Sequence, residues 1–459
     1  MFPPEFIKRL KTQEYIDSGS LLEALGEPSP VSILVNPGKW NQVPGNSVQV
    51  PWCENGYYLE SRPSFTLDPL FHAGCYYPRE ASGMFLGKIS GDFLRSAENL
   101  RVLDLCAAPG GKSIQISDLI GSGSVLVSNE VIRSRAAVLG ETVSKWGKGN
   151  TIVTQNDASA FSKLKGYFDV IVVDAPCSGE GMFRNEAAIR EWSSGNTGLC
   201  AARQKRILMD IWPSLKEKGL LVYSTCTFNP AENEENIIWL SRQDESESLR
   251  IDVSSLEGIT EISRDNIYGY GFFPGKIRGE GFFISVVRKT SHSDSAGFRK
   301  RQKPVTVPTE EFSLLHKWAS FPQESYIRKG NYLISAACSP AEYEYLAGSL
   351  NVIKAGTLVS TMMKDDHIPS HELALSQHID DEAFPVISAD YDSAMKFLGR
   401  GEMKHTGNLK GWNAVKYKET YLGFVKNIGT RLNNYYPVDW RVRMDVPQTA
   451  EQKIIRWKT

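Results

Sequence analysis

Two cysteines stand where apolar, strand-like runs stop at turns of small residues: Cys177 in "VVDAPCSGEG" and Cys226 in "VYSTCTFNPAENEEN". The reactive form of cysteine is the thiolate. With a pKa of about 8.5, a free thiol is only a few per cent ionised at neutral pH, so a reacting cysteine needs a pocket that activates it. Asp174 precedes Cys177 by three residues at the same strand end, where it can deliver or hold a proton. One acid and one thiol are enough for nucleophilic addition to an electron-poor carbon, and a second thiol is left for another step. The competing reading is two small buried hydrophobes, because free cysteine is among the most buried residue types. Spacing alone does not say which thiol would attack.

A second stretch, "RVLDLCAAPGGKS", reads as strand, tight turn and helix start. Gly110 and Gly111 let the backbone approach a ligand, and the helix N-terminus favours an anionic or polar group. Its end, Gly111-Lys112-Ser113, nearly matches a nucleoside triphosphate loop, and Asp174 could then serve a magnesium ion. A triphosphatase is therefore a competing reading. Against it, Cys106 occupies the place of the first glycine of that loop. Glu130 ends the next strand, 19 residues after Gly111, where a carboxylate can accept from two ribose hydroxyls. Asp157 ends the third, placed to accept from an adenine amino group. Acids at successive strand ends point to an adenosyl ligand; with that ligand taken as S-adenosylmethionine, the thiols can be asked what they would methylate. Carbon 5 of a pyrimidine is not nucleophilic by itself. A thiolate adding to carbon 6 makes it an enamine that can take the sulfonium methyl, and an acid such as Asp174 at N3 eases the addition.

These residues need a frame. "RVLDL", "SVLVSN", "NTIVTQN", "FDVIVVD" and "GLLVYST" are five apolar runs separated by helical stretches such as "VIRSRAAVLGETVSKW". Such alternation predicts an α/β fold with a parallel sheet covered on both faces. "GEGFFISVVRK" is expected as a late, antiparallel edge strand. "RKTSHSDSAGFRKRQKPVTVP" reads as a polar linker, and the remainder as a small α+β module and then a β-rich one. From Tyr391 to Thr459 there are 13 Lys and Arg against 6 Asp and Glu, interleaved with aromatics. That pattern suits RNA, or a small β domain with aromatics in its core. The whole chain of 459 residues carries a net charge of -1, so only local charge is informative. Seven scattered cysteines exclude a disulfide framework, no motif suggests a metal, and no signal region or membrane span is apparent. A cytoplasmic monomer is expected.

The segments "DLCAAPGGKS", "DAPCSGEGMFRN", "YSTCTFNPAENEENI" and "KIRGEGFFISVVRK" resemble the motifs of the RNA cytosine-C5 methyltransferases (the Sun-type family), most specifically over 70–289. The whole chain is similar to the bacterial 16S ribosomal RNA enzymes of the RsmF type. Its C-terminal "GWNAVKYKETYLGFVKNIGTRLNNYYP" resembles their PUA-like RNA-binding module. The resemblance implies a Rossmann-like methyltransferase core acting on RNA, with 16S ribosomal RNA, naked or within the 30S subunit, as the expected substrate. It implies that Cys226 is the nucleophile and that Cys177 assists release of methylated RNA. DNA cytosine methyltransferases use the Pro-Cys thiol instead. It further implies cofactor contacts from Cys106, Ala107, Ala108, Pro109, Gly110, Gly111 and Lys112, with Glu130, Asp157 and Asp174. Lys112 is also implied at the target cytosine. Residues 76–87 occupy the place of a segment that closes over the cofactor, but Arg79 departs from the family pattern and carries no ligand role. The expected organisation is an N-terminal RNA-facing segment over 1–69, the methyltransferase domain over 70–290, a linker over 291–307, an α+β module over 308–380 and the PUA-like module over 381–459. A chain cut near 306 is expected to keep its cofactor site. A transfer-RNA substrate and a non-catalytic RNA-binding factor of ribosome assembly are the alternatives.

Overall fold

The computed structural model describes residues 2–458 except 95–96, 293–306, 365 and 404–408. The linker expected over 291–307 lies, but for its ends, outside the described residues. Strands β1 (Val31–Val35), β2 (Val48–Val50), β3 (Cys53–Leu59) and β4 (Tyr76–Pro78) form an N-terminal antiparallel sheet in the order β2-β3-β1-β4. The next nine are β5 (Arg101–Asp104), β6 (Val125–Asn129), β7 (Thr151–Thr154), β8 (Phe168–Asp174), β9 (Leu215–Thr225), β10 (Ser246–Leu249), β11 (Ile259–Arg264), β12 (Ile267–Phe272) and β13 (Phe282–Lys289). A module beyond residue 308 adds β14 (Tyr326–Lys329), β15 (Tyr332–Ser335), β16 (Val352–Ala355), β17 (Thr357–Met363) and β18 (Asp366–Pro369). The C-terminal sheet is β19 (Val386–Ser388), β20 (Gly411–Tyr417), β21 (Thr420–Asn427) and β22 (Leu432–Asn434).

The five apolar runs are β5 to β9, and they pair in parallel in the order β9-β8-β5-β6-β7. Parallel strands need crossovers, and helices such as Gly111–Leu119, Arg133–Trp146 and Ser194–Ile211 supply them. Successive side chains alternate between two cores. Leu103, Val127, Ile171 and Val173 face one, while Val102, Leu126, Val170 and Val172 face the other. Both faces are therefore dry, and truncating a leucine such as Leu103 to alanine costs about 2–5 kcal/mol. β13 does run antiparallel to β9, but it is not an edge: β12 and β10 also pair with it, and with β11 beyond β12 and β16 at the far end the sheet has ten strands.

At the other end β16 pairs antiparallel with β7, through Val352↔Thr154 and Ala355↔Ile152. The module that supplies β16 is built into the core. Ala336, Cys338, Tyr343, Leu346 and Leu350 join the cluster that holds Ile152 and Ile171. Glu342, nearly buried, accepts from Arg101 Nη2 at 2.9 Å and from Tyr167 Oη at 2.6 Å. A cut near 306 would remove this edge strand and take Glu342 away from Arg101 and Tyr167, which argues against the expectation that such a fragment keeps its cofactor site. A third core joins the two ends of the sequence: Ile33, Leu70 and Tyr76 pack with Phe397, Tyr436 and Ile455. Gly45 N donates to Arg456 O at 2.6 Å, and Ser64 N to Lys453 O at 2.8 Å.

Candidate active site

All the singled-out residues lie at the C-terminal ends of β5 to β9, the end where open α/β sheets bind ligands. β8 and β9 are neighbours in register, Asp174 opposite Ser224, so the turns that follow them lie side by side. The Sγ atoms of Cys177 and Cys226 are 3.1 Å apart, and Cys226 N donates to Cys177 Sγ at 3.3 Å. The contact with Cys226, together with burial, pushes the Cys177 thiol well above its ordinary value. At rest the proton is therefore held on Cys177, in contact with the sulfur of Cys226.

Asp174 reaches across the same sheet end. Its Oδ2 accepts from Lys112 Nζ at 2.8 Å and its Oδ1 from Ser224 Oγ at 2.8 Å. Lys112 also lies over the Phe282 ring, 5.2 Å from its centroid, which holds the ammonium against the mouth of the site. The lysine is engaged by a carboxylate on the neighbouring strand, unlike a phosphate-loop lysine left free for a nucleotide.

The turn from β5 into the helix Gly111–Leu119 is shaped by Gly110, whose φ is +114°. A Cβ there would also sit 2.9 Å from Thr142 Cγ2, so only glycine fits. Ala107 and Ala108 pack on Leu139 and Val143 of the next helix, while Pro109 is exposed. Burial, with Asp104, Asp174 and Glu130 nearby, pushes the Cys106 thiol well up. That thiol lies among the site's carboxylates. Glu130 is buried, accepts from Ile132 N at 2.9 Å and pairs with Arg135 at 3.3 Å. Asp157 is the outlier. Its side chain is 46% exposed, accepts from Ser159 N at 3.1 Å and lies 3.5 Å from Arg206. The bonds from Ser159 hold its carboxyl below the usual range.

Several side chains that build the site are absent from the reading of the sequence. Asp104, at the end of β5, is fully buried. Its Oδ2 accepts from Ser113 Oγ at 2.7 Å, and its Oδ1 has no partner among the described residues. Burial raises its carboxyl to about 6. The signal was its position inside "VLDLC" at a strand end. Asn129 donates to Leu105 O at 3.1 Å and Asn156 O at 2.9 Å and accepts from Thr154 Oγ1 at 2.9 Å, tying three strand ends together. Glu232 accepts from Ser178 N at 2.9 Å and from Gln204 Nε2 at 3.0 Å, fixing the residue after Cys177. Arg79 clamps structure: its guanidinium donates to Gly111 O at 2.7 Å and Gly83 O at 2.6 Å. Glu80 accepts from Gly83 N at 2.9 Å and Glu280 N at 2.8 Å, pinning residues 80–83 to the segment before β13. That segment meets the Cys177 turn glycine to glycine. Gly281 N donates to Gly181 O at 3.1 Å, and a Cβ on Gly181 would fall 2.3 Å from Gly281 O. Among the described residues no cluster of three or more His, Cys, Asp or Glu side chains could hold a metal, and no helix is long and apolar enough to cross a membrane.

Sequence models of three families match this chain. Residues 92–288 match "16S rRNA methyltransferase RsmB/F", residues 2–81 the "N-terminal domain of 16S rRNA methyltransferase RsmF", and residues 384–442 the "Methyltransferase RsmF PUA domain". Ribosomal RNA small subunit methyltransferase F of Vibrio cholerae is 30% identical over 409 residues, covering 84% of each chain. The protein of that name from Enterobacter sp. (strain 638) is 29% identical over 422 residues, 88% of this chain and 85% of its own. Among solved structures, a methyltransferase homolog protein from Pyrococcus horikoshii superimposes with a TM-score of 0.51 at 25% identity, covering 62% of this chain and 99% of its own. NSun6 from the same organism, solved with SFG, gives 0.52 at 19% identity over 63% of this chain and 99% of its own, a likeness of fold.

Proposed function

Because this chain belongs to the 16S ribosomal RNA methyltransferase F family of S-adenosylmethionine-dependent enzymes, we propose that it methylates carbon 5 of a cytosine in 16S ribosomal RNA through a covalent adduct on Cys226. The observation that carries this reading is the pair of thiols 3.1 Å apart beside the Lys112–Asp174 ion pair. The residues at the strand ends fit the cofactor. The unpartnered, buried Oδ1 of Asp104 suits a cationic amino group, and Glu130 suits the ribose hydroxyls. The backbone of Cys106 to Gly111 would line the ligand, and Asp157 would meet the adenine from the exposed side. Bound there, S-adenosylmethionine supplies an electrophilic methyl group.

The chain's own residues do the rest. Cys226 Sγ, as thiolate, bonds to C6 of a cytosine turned out of its stack, and the Lys112–Asp174 pair delivers a proton to N3. Carbon 5 then carries the electron pair that takes the methyl group. A base then takes the C5 proton, the Cys226–C6 bond breaks to return the thiolate, and N3 hands its proton back to the Lys112–Asp174 pair. Cys177, touching Cys226, assists that release. RNA docking falls to the modules at 1–69 and 381–459. In the latter, Arg400, Arg431, Asn433 and the exposed ring of Tyr435 line a cleft suited to phosphates and a stacked base.

The test is methyl transfer from labelled S-adenosylmethionine to 16S RNA, 30S subunits and transfer RNA, with bisulfite sequencing of RNA from a deletion strain. One 16S cytosine that loses its 5-methyl mark supports the proposal. Label confined to transfer RNA, or to a position other than carbon 5, refutes it.

A further inference from the structure

The two thiol turns are held to each other by a residue from neither turn. Arg9 lies on the N-terminal helix Pro4–Leu10. Its Nη1 donates to Phe228 O at 3.1 Å, two residues after Cys226, and its Nη2 lies 2.5 Å from Glu180 Oε2, three residues after Cys177. Glu180 is 0% exposed. The same carboxylate accepts from Phe228 N at 3.3 Å and from Trp192 Nε1 at 3.0 Å. Between these anchors the turns also touch directly: Gly181 N donates to Cys226 O at 2.9 Å, and the hydroxyls of Ser178 and Thr227 are 2.9 Å apart. The helix that carries Arg9 is anchored beside them. The Phe6 ring is buried, edge-on to Phe183 at 4.8 Å and to Trp192 at 6.2 Å.

A fully buried carboxylate needs a cation, and here the cation comes from a segment far from both thiols in sequence. Resting on the proposed role of the two cysteines, we infer that Arg9 and Glu180 are positioning residues that set the separation of Cys226 and Cys177 from the N-terminal segment. Without the guanidinium the Glu180 carboxylate must find water or a proton. Loss of Arg9 also frees Phe228 O, so the turn after Cys226 shifts together with the 178–183 turn, and the nucleophilic sulfur is displaced from the reacting carbon as well as from Cys177. Glu232 holds Ser178 from the opposite side, so the displacement is a change of spacing and not an unravelling of the turn. Cofactor residues Asp104 and Glu130 lie on other strands and are untouched.

The experiment compares Arg9→Ala, Arg9→Lys, Glu180→Gln and the neutral pair Arg9→Gln/Glu180→Gln with the wild-type chain. The readouts are single-turnover methyl transfer, KM for RNA, S-adenosylmethionine affinity and the unfolding midpoint, with rates taken well below that midpoint. A misplacement of about 1 Å at reacting atoms costs on the order of 10²-fold, so Arg9→Ala should slow the single-turnover step roughly 10- to 100-fold. KM for RNA and cofactor affinity should stay within about twofold of wild type by the same division of roles. Arg9→Lys should recover part of the rate. In a Cys177→Ala background, Arg9→Ala should slow formation of the denaturant-resistant RNA adduct. A lowered midpoint with an unchanged single-turnover rate would make Arg9 merely structural, and a change confined to KM would make it an RNA contact; either overturns the inference. If Arg9→Ala does not fold, Arg9→Lys and the neutral pair decide by the same criteria. If the wild-type chain forms no adduct and no 5-methylcytosine, the proposed function fails first, a result distinct from unequal or equal rates among active variants.

Discussion

The thiol end of the sheet and the cofactor end are built differently. After β8 and β9 the turns are closed by buried carboxylates, Glu180 and Glu232, every one of whose bonds comes from the protein. After β5 to β7 the acids are left partly open. Asp104 has an unpartnered oxygen, and Asp157 is half exposed with a local serine for company. Under the proposed chemistry, rigid closure sits where a bond between sulfur and carbon would form and break within tenths of an ångström. Open valence sits where a ligand with its own hydroxyls, amines and charge completes the network on binding.

The sharpest way to break that comparison is at sulfur. Cys226→Ser should abolish methyl transfer, by roughly 10³-fold or more, and give no RNA adduct. Cys177→Ala should instead accumulate an S-adenosylmethionine-dependent adduct, seen as a slower, denaturant-resistant band on a gel. If the Cys226 variant traps RNA and the Cys177 variant does not, the roles are exchanged. The next effect belongs to the cofactor end. A chain cut near 306 lacks β16 and Glu342, and calorimetry should find S-adenosylmethionine binding lost. A soluble fragment binding with wild-type affinity would show that the edge strand is dispensable. Smaller still, Glu130→Ala should weaken the cofactor about 10- to 100-fold, since charge-assisted bonds contribute about 1.5–3 kcal/mol. Asp157→Ala should cost less, about 2- to 10-fold, because exposed partners are screened. A larger loss at Asp157 than at Glu130 would invert the ranking of buried over exposed acids.

A further effect is one of pH. Asp104 has a carboxyl raised to about 6 by burial, against about 3.9 in an unfolded chain. The folded state binds its proton more tightly, so this group's contribution to stability falls as pH rises through that window. Cofactor binding has the opposite sign, because a cationic amino group favours the ionised carboxylate. Affinity should decline by up to about tenfold per pH unit below 6. Asp104→Asn should flatten that dependence, and an unchanged slope would remove Asp104 from the amino group.

Much of this was readable from residue order. β5 to β9 were legible because strands buried on both faces read as continuous apolar runs, and the ligand-facing acids stood at their ends. The thiols were legible as candidates, though their contact was not, because register between β8 and β9 decides it. Asp104 was in plain view within the motif and was passed over, since a buried, unpaired oxygen leaves no trace in sequence. Arg9, Glu180 and Glu232 escaped for a related reason: each meets a partner from a distant segment, and periodicity tells which face is apolar, not what covers it. β16 looked like part of a separate module because local pattern cannot show that its partner is β7.

The shared core of Ile33, Tyr76, Phe397 and Ile455 has a consequence in time. Residues 43–64 wait for residues 453–458 before their backbone bonds can close. At about 5–20 residues per second, the ribosome leaves the N-terminal sheet without that cover for roughly 20–80 s. During translation the apolar face of this sheet is therefore a natural substrate for holdase chaperones. Damage at 453–458 should be felt first at the opposite end of the sequence. Limited proteolysis of a chain ending at 449 should nick within 43–64 before it nicks the C-terminal sheet, and the reverse order would mean that the two ends fold independently.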